Sequence, residues 1–326
     1  MSTSVEPITT APLSYGQEQL WFLDHLTPGA TTYNILLAAR LRGPLDAGLL
    51  ARALSLVVAR HEAMRTTIRT GANGTPFQQV SPPSEVELPV LDGSGRSDRE
   101  QIDSLLSELS TEPFDLENGP LYRYRLLRLG EQDHVFVQNL HHIVTDGWSS
   151  GVVNAELARA YAALADGREP EFDGPGSRYT QYAAVQREAM QGETLDEELS
   201  FWADRLAGLP TLEFPSDRPR PVVPTRPASS VIHEFPGELL ATARDLARTH
   251  NASLFMVFAA ALNVVLSRYT GQEDIPVGVP MLGRVDPDLE SVVGLFVNMV
   301  VLRTDVSGDP SYADLLGRVM DTSLDL

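Results

Sequence analysis

The chain has 326 residues, of which 43% are hydrophobic, and its formal net charge is −19. This length can bury a substantial core and is sufficient for two lobes of ordinary domain size. There is no cysteine, which excludes disulfides, thiolate metal sites and a cysteine nucleophile. All 25 basic residues are arginine, which excludes a lysine Schiff base. The excess of acidic residues argues against nucleic-acid binding, which depends on cationic contacts to phosphate.

Residues 1–12 at the N-terminus are polar and lack both the basic start and the apolar centre of a signal peptide. No apolar run in the sequence reaches the length of a membrane-spanning helix. We therefore expect a cytoplasmic protein that has no membrane partner.

Hydrophobic periodicity predicts helices and strands through the first half of the chain. Apolar residues recur at helical spacing in four segments, 17–26, 46–60, 99–109 and 152–164. Strands are predicted in four others, 33–41, 65–69, 121–129 and 134–140. The last two strands flank a turn at residues 130–133 and should pair as neighbours. The polar stretch that contains Gly74, Pro76 and Pro82 is predicted to be a loop.

Residues 169–176 are rich in proline and glycine and mark the predicted boundary between two lobes, residues 1–174 and 175–326. The second lobe has predicted helices at 179–190, 195–206, 238–249, 254–269 and from 312 onward. Its predicted strands are 230–235, 275–280 and 295–304, and the proline-rich residues 217–227 should form an extended connector. The pattern indicates α/β layering without a strict βαβ repeat.

The most informative cluster is LHHIVTDGWS at residues 140–149. Because side chains on a strand alternate between faces, His141 and His142 should point in opposite directions, so only one can face a given cavity. The Asp146-Gly147 pair that follows is typical of a turn. Taken alone, the two histidines are compatible with a packed strand end as well as with a catalytic site. Since their side chains diverge, no metal site is expected.

Several segments carry a resemblance to one known family. Residues 140–149 resemble the HHxxxDG motif of condensation domains of nonribosomal peptide synthetases, which belong to a superfamily with chloramphenicol acetyltransferase. Residues 13–23 (LSYGQEQLWFL) resemble the family's first motif, and 60–66 (RHEAMRT) its second. Residues 178–182 (RYTQY) loosely resemble the fourth motif, and 293–298 (VGLFVN) match the fifth. The resemblance spans nearly the whole chain, in order.

This resemblance implies a fold of two chloramphenicol-acetyltransferase-like lobes arranged in a V, with the active site at their junction. Two family motifs that follow the fifth are absent, and the chain reaches Leu326 inside a helical pattern that has no stop signal. We therefore expect the second lobe to be incomplete at its C-terminus.

The resemblance also implies the site residues. The motif supplies the catalytic set His141, His142, Asp146 and Gly147, in which His142 is the catalytic histidine and His141 packs inward. Asp146 should be mainly structural and pair with Arg60. Arg65 is a second structural support for the motif. Three further residues are candidates for the substrate channel: Trp148, Ser149 and Asn298.

The implied reaction is attack of an acceptor amine on a donor thioester, both held on carrier proteins, with formation of an amide. His142 could act as a general base or could position the amine, and the sequence leaves both roles open. No cofactor is expected in the domain itself, because partner carrier proteins supply the 4'-phosphopantetheine arms. The other expected partner is an adenylation domain, with this chain as one monomeric unit of a multidomain synthetase.

Trp148 and the LWFL sequence at residues 20–23 resemble the subtype that joins a D-configured donor to an L-acceptor. Two alternatives remain open for the chain as a whole. One is a free-standing acyltransferase of the same superfamily that uses an acyl-CoA donor. The other is a non-catalytic module that keeps the fold and recruits enzymes to a carrier protein.

Overall fold

The computed structural model describes residues 8–93, 97–174, 178–219 and 231–325. The chain forms two compact units, Met1–Glu198 with Leu282–Asn298, and Leu199–Met281 with Met299–Leu326. The first unit thus extends beyond residue 174, where the sequence predicted the end of the first lobe. It also includes residues 282–298, which are called the 282–298 segment below.

The first unit contains seven strands in the part of the chain that the structure describes. They are β1 (Thr9–Pro12), β2 (Asn34–Arg42), β3 (Thr66–Thr70), β4 (Pro76–Val80), β5 (Val90–Asp92), β6 (Tyr122–Gly130) and β7 (Asp133–His141). Its helices are α1 (Tyr15–Leu26), α2 (Ala47–Arg60), α3 (Asp98–Thr111), α4 (Gly147–Ala165) and α5 (Tyr179–Ala189). The next helix, α6 (Glu193–Arg205), contains the boundary between the two units.

The larger sheet has the strand order β2-β7-β6-β5, in which β7 lies between two antiparallel neighbours. Its side chains alternate between two apolar layers, as strand geometry requires. Phe136 and Leu140 join the main core, which also contains α2 and α4 side chains, whereas Val135 and Val137 pack with Leu109 of α3. Because both faces are covered, β7 is buried along almost its whole length. This rigid central strand leads directly into the two histidines.

A smaller antiparallel sheet has the order β1-β4-β3. The sequence predicted β3 but treated the β4 region as a loop. That prediction was wrong because β4 begins at Pro76 and buries the polar Gln78, so it lacks an apolar alternation. The Gln78 amide compensates for its burial by donating to the Pro12 carbonyl at 2.8 Å.

Helix α5 belongs to the first unit because it is anchored on the first-motif residues. Arg187 donates from Nε to the Leu13 carbonyl at 2.7 Å, and its guanidinium lies 3.9 Å from the centre of the Tyr15 ring. The Gln186 side-chain oxygen accepts from the Tyr15 N–H at 2.9 Å. These contacts explain why the proline- and glycine-rich stretch before α5 does not end the compact unit.

The second unit contains α7 (Gly237–Thr249), α8 (Leu254–Thr270), β8 (Asp274–Met281), β9 (Asn298–Asp305) and α9 (Tyr312–Leu324). Its core joins Val257 and Ala260 of α8 to Val279 of β8, Leu302 of β9 and Leu316 of α9. A stripe of apolar side chains on α8, spaced by three and four residues, is exposed: Phe255, Phe258, Leu262 and Val265.

The second half of the chain differs from the sequence-based expectations at three places. Residues 231–235 form no strand, and residue 230 lies outside the described residues. Of the predicted connector 217–227, only residues 217–219 are described. The strand predicted at 295–304 begins three residues later, at Asn298, because the residues before it lie in the 282–298 segment.

Across the described parts of the chain, no single helix is long and apolar enough to cross a bilayer. Helices α7 and α8 would together be long and apolar enough by length and composition, and they are bent by 106° relative to each other.

A buried charge cluster connects the end of α2 to the middle of α4. Glu156 of α4 accepts from Arg60 Nε at 3.1 Å and lies 2.8 Å from His61 Nε2. Burial tends to raise the pKa of the Glu156 carboxyl, but the hydrogen bonds and charges of His61 and Arg60 outweigh it, so the pKa lies below its usual 4.5. The cluster therefore fixes the position of α4 against α2.

We predict that Glu156→Gln lowers the free energy of unfolding by about 1–3 kcal/mol at neutral pH, because hydrogen bonds to a charged group are lost. A carboxyl whose pKa is lower in the folded protein than in the unfolded chain stabilises the fold above the unfolded pKa. That stabilisation disappears as the pH falls through the folded pKa. The stability of the native protein in urea should therefore weaken below about pH 4.5, and the variant should weaken less.

The matched control is Glu169→Gln, since the Arg52–Glu169 pair lies on the surface with side chains 53% and 77% exposed. An exposed pair contributes little, so this variant should follow the native pH dependence. Equal pH dependence in the native protein and Glu156→Gln would contradict the assignment.

Candidate active site

The two adjacent histidines at the end of β7 differ in burial and in the element that holds them. His141 is the last strand residue and is 3% exposed, whereas His142 begins a single 3-10 turn, His142–Val144, and is half-buried. The His142 N–H donates to the Tyr33 carbonyl at 2.8 Å, which fixes its backbone against the start of β2. The two rings thus occupy different environments although they are adjacent in sequence.

His141 is a packed residue. Its Nδ1 accepts from the Ile143 N–H at 3.1 Å. The His141 and Phe114 rings pack edge to face, with a distance of 6.0 Å between their centroids. Burial, with a smaller contribution from the charge of His142, lowers the pKa of His141 to about 4. The ring is therefore neutral at physiological pH, and its role is to brace the turn.

His142 is placed differently. Its Nδ1 atom is buried and has no hydrogen-bond partner among the residues that the structure describes. A neutral imidazole carries a proton on one nitrogen and a lone pair on the other. Because Nδ1 is closed off from solvent, a substrate would have to meet the ring through Nε2.

Asp146 is buried at the start of α4 and uses both carboxylate oxygens. Oδ1 accepts from the Ser149 N–H at 2.7 Å and caps the helix, and Oδ2 accepts from the Phe296 N–H at 3.0 Å. The guanidinium of Arg284 lies 3.3 Å from Oδ1, and both side chains are 3% exposed. The predicted pairing of Asp146 with Arg60 is therefore wrong, since the cation beside Asp146 is Arg284.

The position of Arg60 explains this correction. Arg60 binds Glu156, ten residues beyond Asp146 on the same helix, and also donates to the Gly174 carbonyl at 3.0 Å. Ten residues correspond to about 15 Å along a helix, so Arg60 supports α4 at a different point. Arg65 donates to the Ser81 carbonyl and lines a small pocket of about 160 Å³ beside Pro120 and other residues.

Two of the three guanidinium nitrogens of Arg284 have hydrogen-bond partners, and its buried Nε has none among the described residues. Its Nη1 donates to the carbonyls of Leu289 and Val292, and its Nη2 donates to the Ser149 hydroxyl at 2.7 Å. The guanidinium also lies 3.9 Å from the centre of the Phe296 ring. Burial lowers the pKa of Arg284, and the charge of Asp146 opposes that effect. Sequence reasoning missed this role, because Arg284 lies outside the motifs that carried the resemblance.

The three channel candidates divide into two groups. Trp148 is 42% exposed, with Nε1 donating to the Glu290 carbonyl at 2.8 Å, and Asn298 is exposed at the start of β9. Ser149 is instead fully buried, and its hydroxyl donates to the Gly294 carbonyl at 2.9 Å and accepts from the Gly294 N–H at 3.1 Å. Ser149 is therefore a structural residue, which corrects its assignment to the channel.

Gly147 is exposed and opens α4, and no atom lies within 4 Å of the place where a Cβ would stand. The predicted helix at 152–164 began too late because Gly147, Ser149, Ser150 and Gly151 are weak helix formers. Asp146 compensates by capping the first turn. A gap beside the backbone thus lies five residues after His142.

Gln17 is a further site residue that the sequence did not single out. It is fully buried, and its Nε2 donates to the Ile143 carbonyl and to Gln78 Oε1, both at 3.2 Å. Gln17 therefore holds the residue that follows His142. A glutamine on the buried face of α1 is the only signal that could have suggested this role.

We predict that Arg284→Met lowers the free energy of unfolding by about 3–5 kcal/mol, because it leaves the Asp146 carboxylate buried without its cation. In a double-mutant cycle with Asp146→Asn, the two losses should be far from additive. Arg60→Met is the matched control and should be additive with Asp146→Asn, since it contacts Glu156 instead. Strong coupling of Asp146 to Arg60, measured by chemical unfolding, would contradict this geometry.

Comparison with known proteins places these observations in a family. The family model described as "Condensation domain" matches residues 8–326. A linear gramicidin synthase of Brevibacillus parabrevis is 42% identical over 318 residues, which cover 96% of this chain and 4% of that protein. The dimodular nonribosomal peptide synthase of Bacillus subtilis is 39% identical over 319 residues, covering 96% and 13%. The chain thus spans only a small part of each relative.

Two solved structures are similar over nearly the whole chain. The first condensation domain of the CDA synthetase has a TM-score of 0.85 at 24% identity, covering 97% of this chain and 74% of that one. The X-domain from teicoplanin biosynthesis, solved in a complex with OxyB, has a TM-score of 0.84 at 29% identity, covering 100% and 71%. The predicted α/β fold of the chloramphenicol-acetyltransferase type is confirmed. The chain belongs to the condensation-domain family of nonribosomal peptide synthetases.

Proposed function

We propose that this chain forms an amide bond between two carrier-bound substrates, with His142 at the reacting centre. The acceptor amine nitrogen attacks the donor thioester carbonyl, the new C–N bond forms and the C–S bond breaks. One proton leaves the amine, and the departing sulfur takes up a proton. The observation that carries the proposal is the contrast within the motif, in which Asp146 is buried with partners at both oxygens whereas His142 is half-buried and its Nδ1 has no partner among the described residues.

In this proposal each motif residue has a distinct task. His142 takes the amine proton or orients the amine through Nε2. Asp146 holds the turn through Arg284 and the Phe296 N–H. The space beside Gly147 admits the substrate arm, and the Gly147 N–H at the start of α4 is a candidate donor to the oxygen that becomes negative in the tetrahedral intermediate.

The substrates and partners follow from the same proposal. The donor and the acceptor are thioesters on the 4'-phosphopantetheine arms of two carrier protein domains, and an adenylation domain neighbours this one. We further propose a donor whose last residue has the D configuration. The support is the resemblance of Trp148 and of the LWFL sequence at residues 20–23 to that subtype, and Trp148 is 42% exposed beside Gly147.

A docking module is the second candidate function, because the teicoplanin X-domain was solved in complex with OxyB. The free-standing acyltransferase remains an alternative with no observation that favours it. The half-buried ring of His142, whose Nδ1 has no partner among the described residues, favours catalysis over docking. A product assay with carrier-bound and CoA-bound donors separates all three functions.

We predict that His142→Ala lowers the rate of amide formation by about 10²–10⁴-fold, the usual contribution of a positioned acid–base group. His141→Ala is the matched variant and should lower the melting temperature, because its buried ring is removed, while it retains most of the activity below that temperature. The measurement is product formation from carrier-bound donor and acceptor, followed by mass spectrometry. Equal loss at both positions in folded protein would contradict the assignment.

The same assay tests donor type and configuration. The native chain should accept a carrier-bound donor and not the corresponding acyl-CoA, and should prefer a D-configured donor to its L form. Preference for acyl-CoA would support the free-standing acyltransferase. Binding to a carrier protein without any product would support the docking module.

A further inference from the structure

Tyr179, the first residue of α5, is fully buried and bridges two parts of the sequence that are far apart. Its hydroxyl lies 2.8 Å from Ser14 Oγ and is also hydrogen-bonded to the Leu295 carbonyl. A carbonyl can only accept, and a phenol carries one hydrogen, so Tyr179 donates to Leu295 and the Ser14 hydroxyl donates to Tyr179. Burial raises the pKa of Tyr179, which keeps this hydrogen in place at physiological pH.

The Tyr179 ring also lies directly on the backbone of Gly294. A Cβ at position 294 would stand 2.0 Å from Tyr179 Cδ2, well inside any possible contact. The Ser149 hydroxyl binds both the N–H and the carbonyl of Gly294. Tyr179 and Ser149 therefore both hold this part of the 282–298 segment, and only glycine fits beside the Tyr179 ring.

Both contacts of the Tyr179 hydroxyl lead to the turn that carries His142. On one side, the Ser14 hydroxyl accepts from the Gln17 N–H at 3.1 Å, and the Ser14 N–H donates to the Gln17 side-chain oxygen. Gln17 Nε2 in turn donates to the Ile143 carbonyl. On the other side, Leu295 is followed by Phe296, whose N–H donates to Asp146 Oδ2. Ile143 directly follows His142, and Asp146 lies four residues beyond it.

We propose that Tyr179 is a positioning residue for the reaction centred on His142, because its hydroxyl joins the two supports of the 143–146 turn into one closed network. This inference rests on the proposed function for its effect on rate. Its structural content, that the hydroxyl restrains the turn, stands independently. A phenylalanine would provide the same packing, so the two hydrogen bonds distinguish positioning from simple burial.

The test uses Tyr179→Phe in the full chain, which keeps the ring and removes the hydroxyl. We expect kcat for amide formation to fall about tenfold, since Ser14 and the Leu295 carbonyl lose a buried partner. The KM for each carrier-bound substrate should stay unchanged, because no substrate contact is lost. Hydrogen exchange of the amides in residues 143–150, measured by mass spectrometry, should accelerate.

Tyr161→Phe is the matched control. The Tyr161 hydroxyl accepts from the Asp46 N–H at 2.9 Å, far along α4 from the motif. This variant should leave kcat and the exchange of residues 143–150 unchanged, even if its melting temperature falls. Gly294→Ala should reduce activity through its clash with the ring, and should cause no additional loss in a Tyr179→Ala background.

Unchanged hydrogen exchange in Tyr179→Phe would overturn the inference whatever the activity. Faster exchange with native kcat would also overturn it, because the turn would then be loosened without consequence for the reaction. Should the native chain form no amide from either type of donor, the proposed function fails. The exchange measurement then decides on its own whether Tyr179 restrains the turn.

Discussion

The buried ion pair of Asp146 and Arg284 is the interaction on which the site depends. Two charges removed from water are stable only if their attraction is supplemented by hydrogen bonds to the remaining donors and acceptors. Here the helix start, the Ser149 hydroxyl, the Phe296 N–H and two carbonyls of the 282–298 segment supply these hydrogen bonds, and only Arg284 Nε in this pair lacks a partner among the described residues. The 282–298 segment must lie against α4 to form these hydrogen bonds, which explains why it belongs to the first unit.

Within the motif, the residues that support the turn differ from the residue that is proposed to react. His141 is kept neutral by burial, and Asp146 has partners at both oxygens, so neither offers a group to a substrate. His142 is fixed through its backbone, and its half-buried ring has no partner at Nδ1 among the described residues. Under the proposed function, this fixed backbone means that His142 loses little freedom when the substrate arrives.

The sequence could predict the features that depend on local pattern. Strand alternation predicted β7, and helical periodicity predicted α2 and the end of α4. His142 has already left the strand for a 3-10 turn, so strand alternation does not account for the place of its ring. Neither pattern could identify the partner of Asp146, because Arg284 lies 138 residues away and carries no local signal. The choice of Arg60 came from the resemblance alone. Strand β4 was missed for a related reason, since its buried Gln78 is stabilised by a distant carbonyl.

The second motif nevertheless has a physical role that complements the fifth. Arg60 and His61 hold Glu156 in the middle of α4, while Arg284 and Phe296 hold Asp146 at its start. A helix fixed at two points about 15 Å apart cannot tilt without breaking a buried charge contact. Substitutions at Arg60 therefore loosen α4 around Glu156, whereas substitutions at Arg284 loosen its first turn at Asp146.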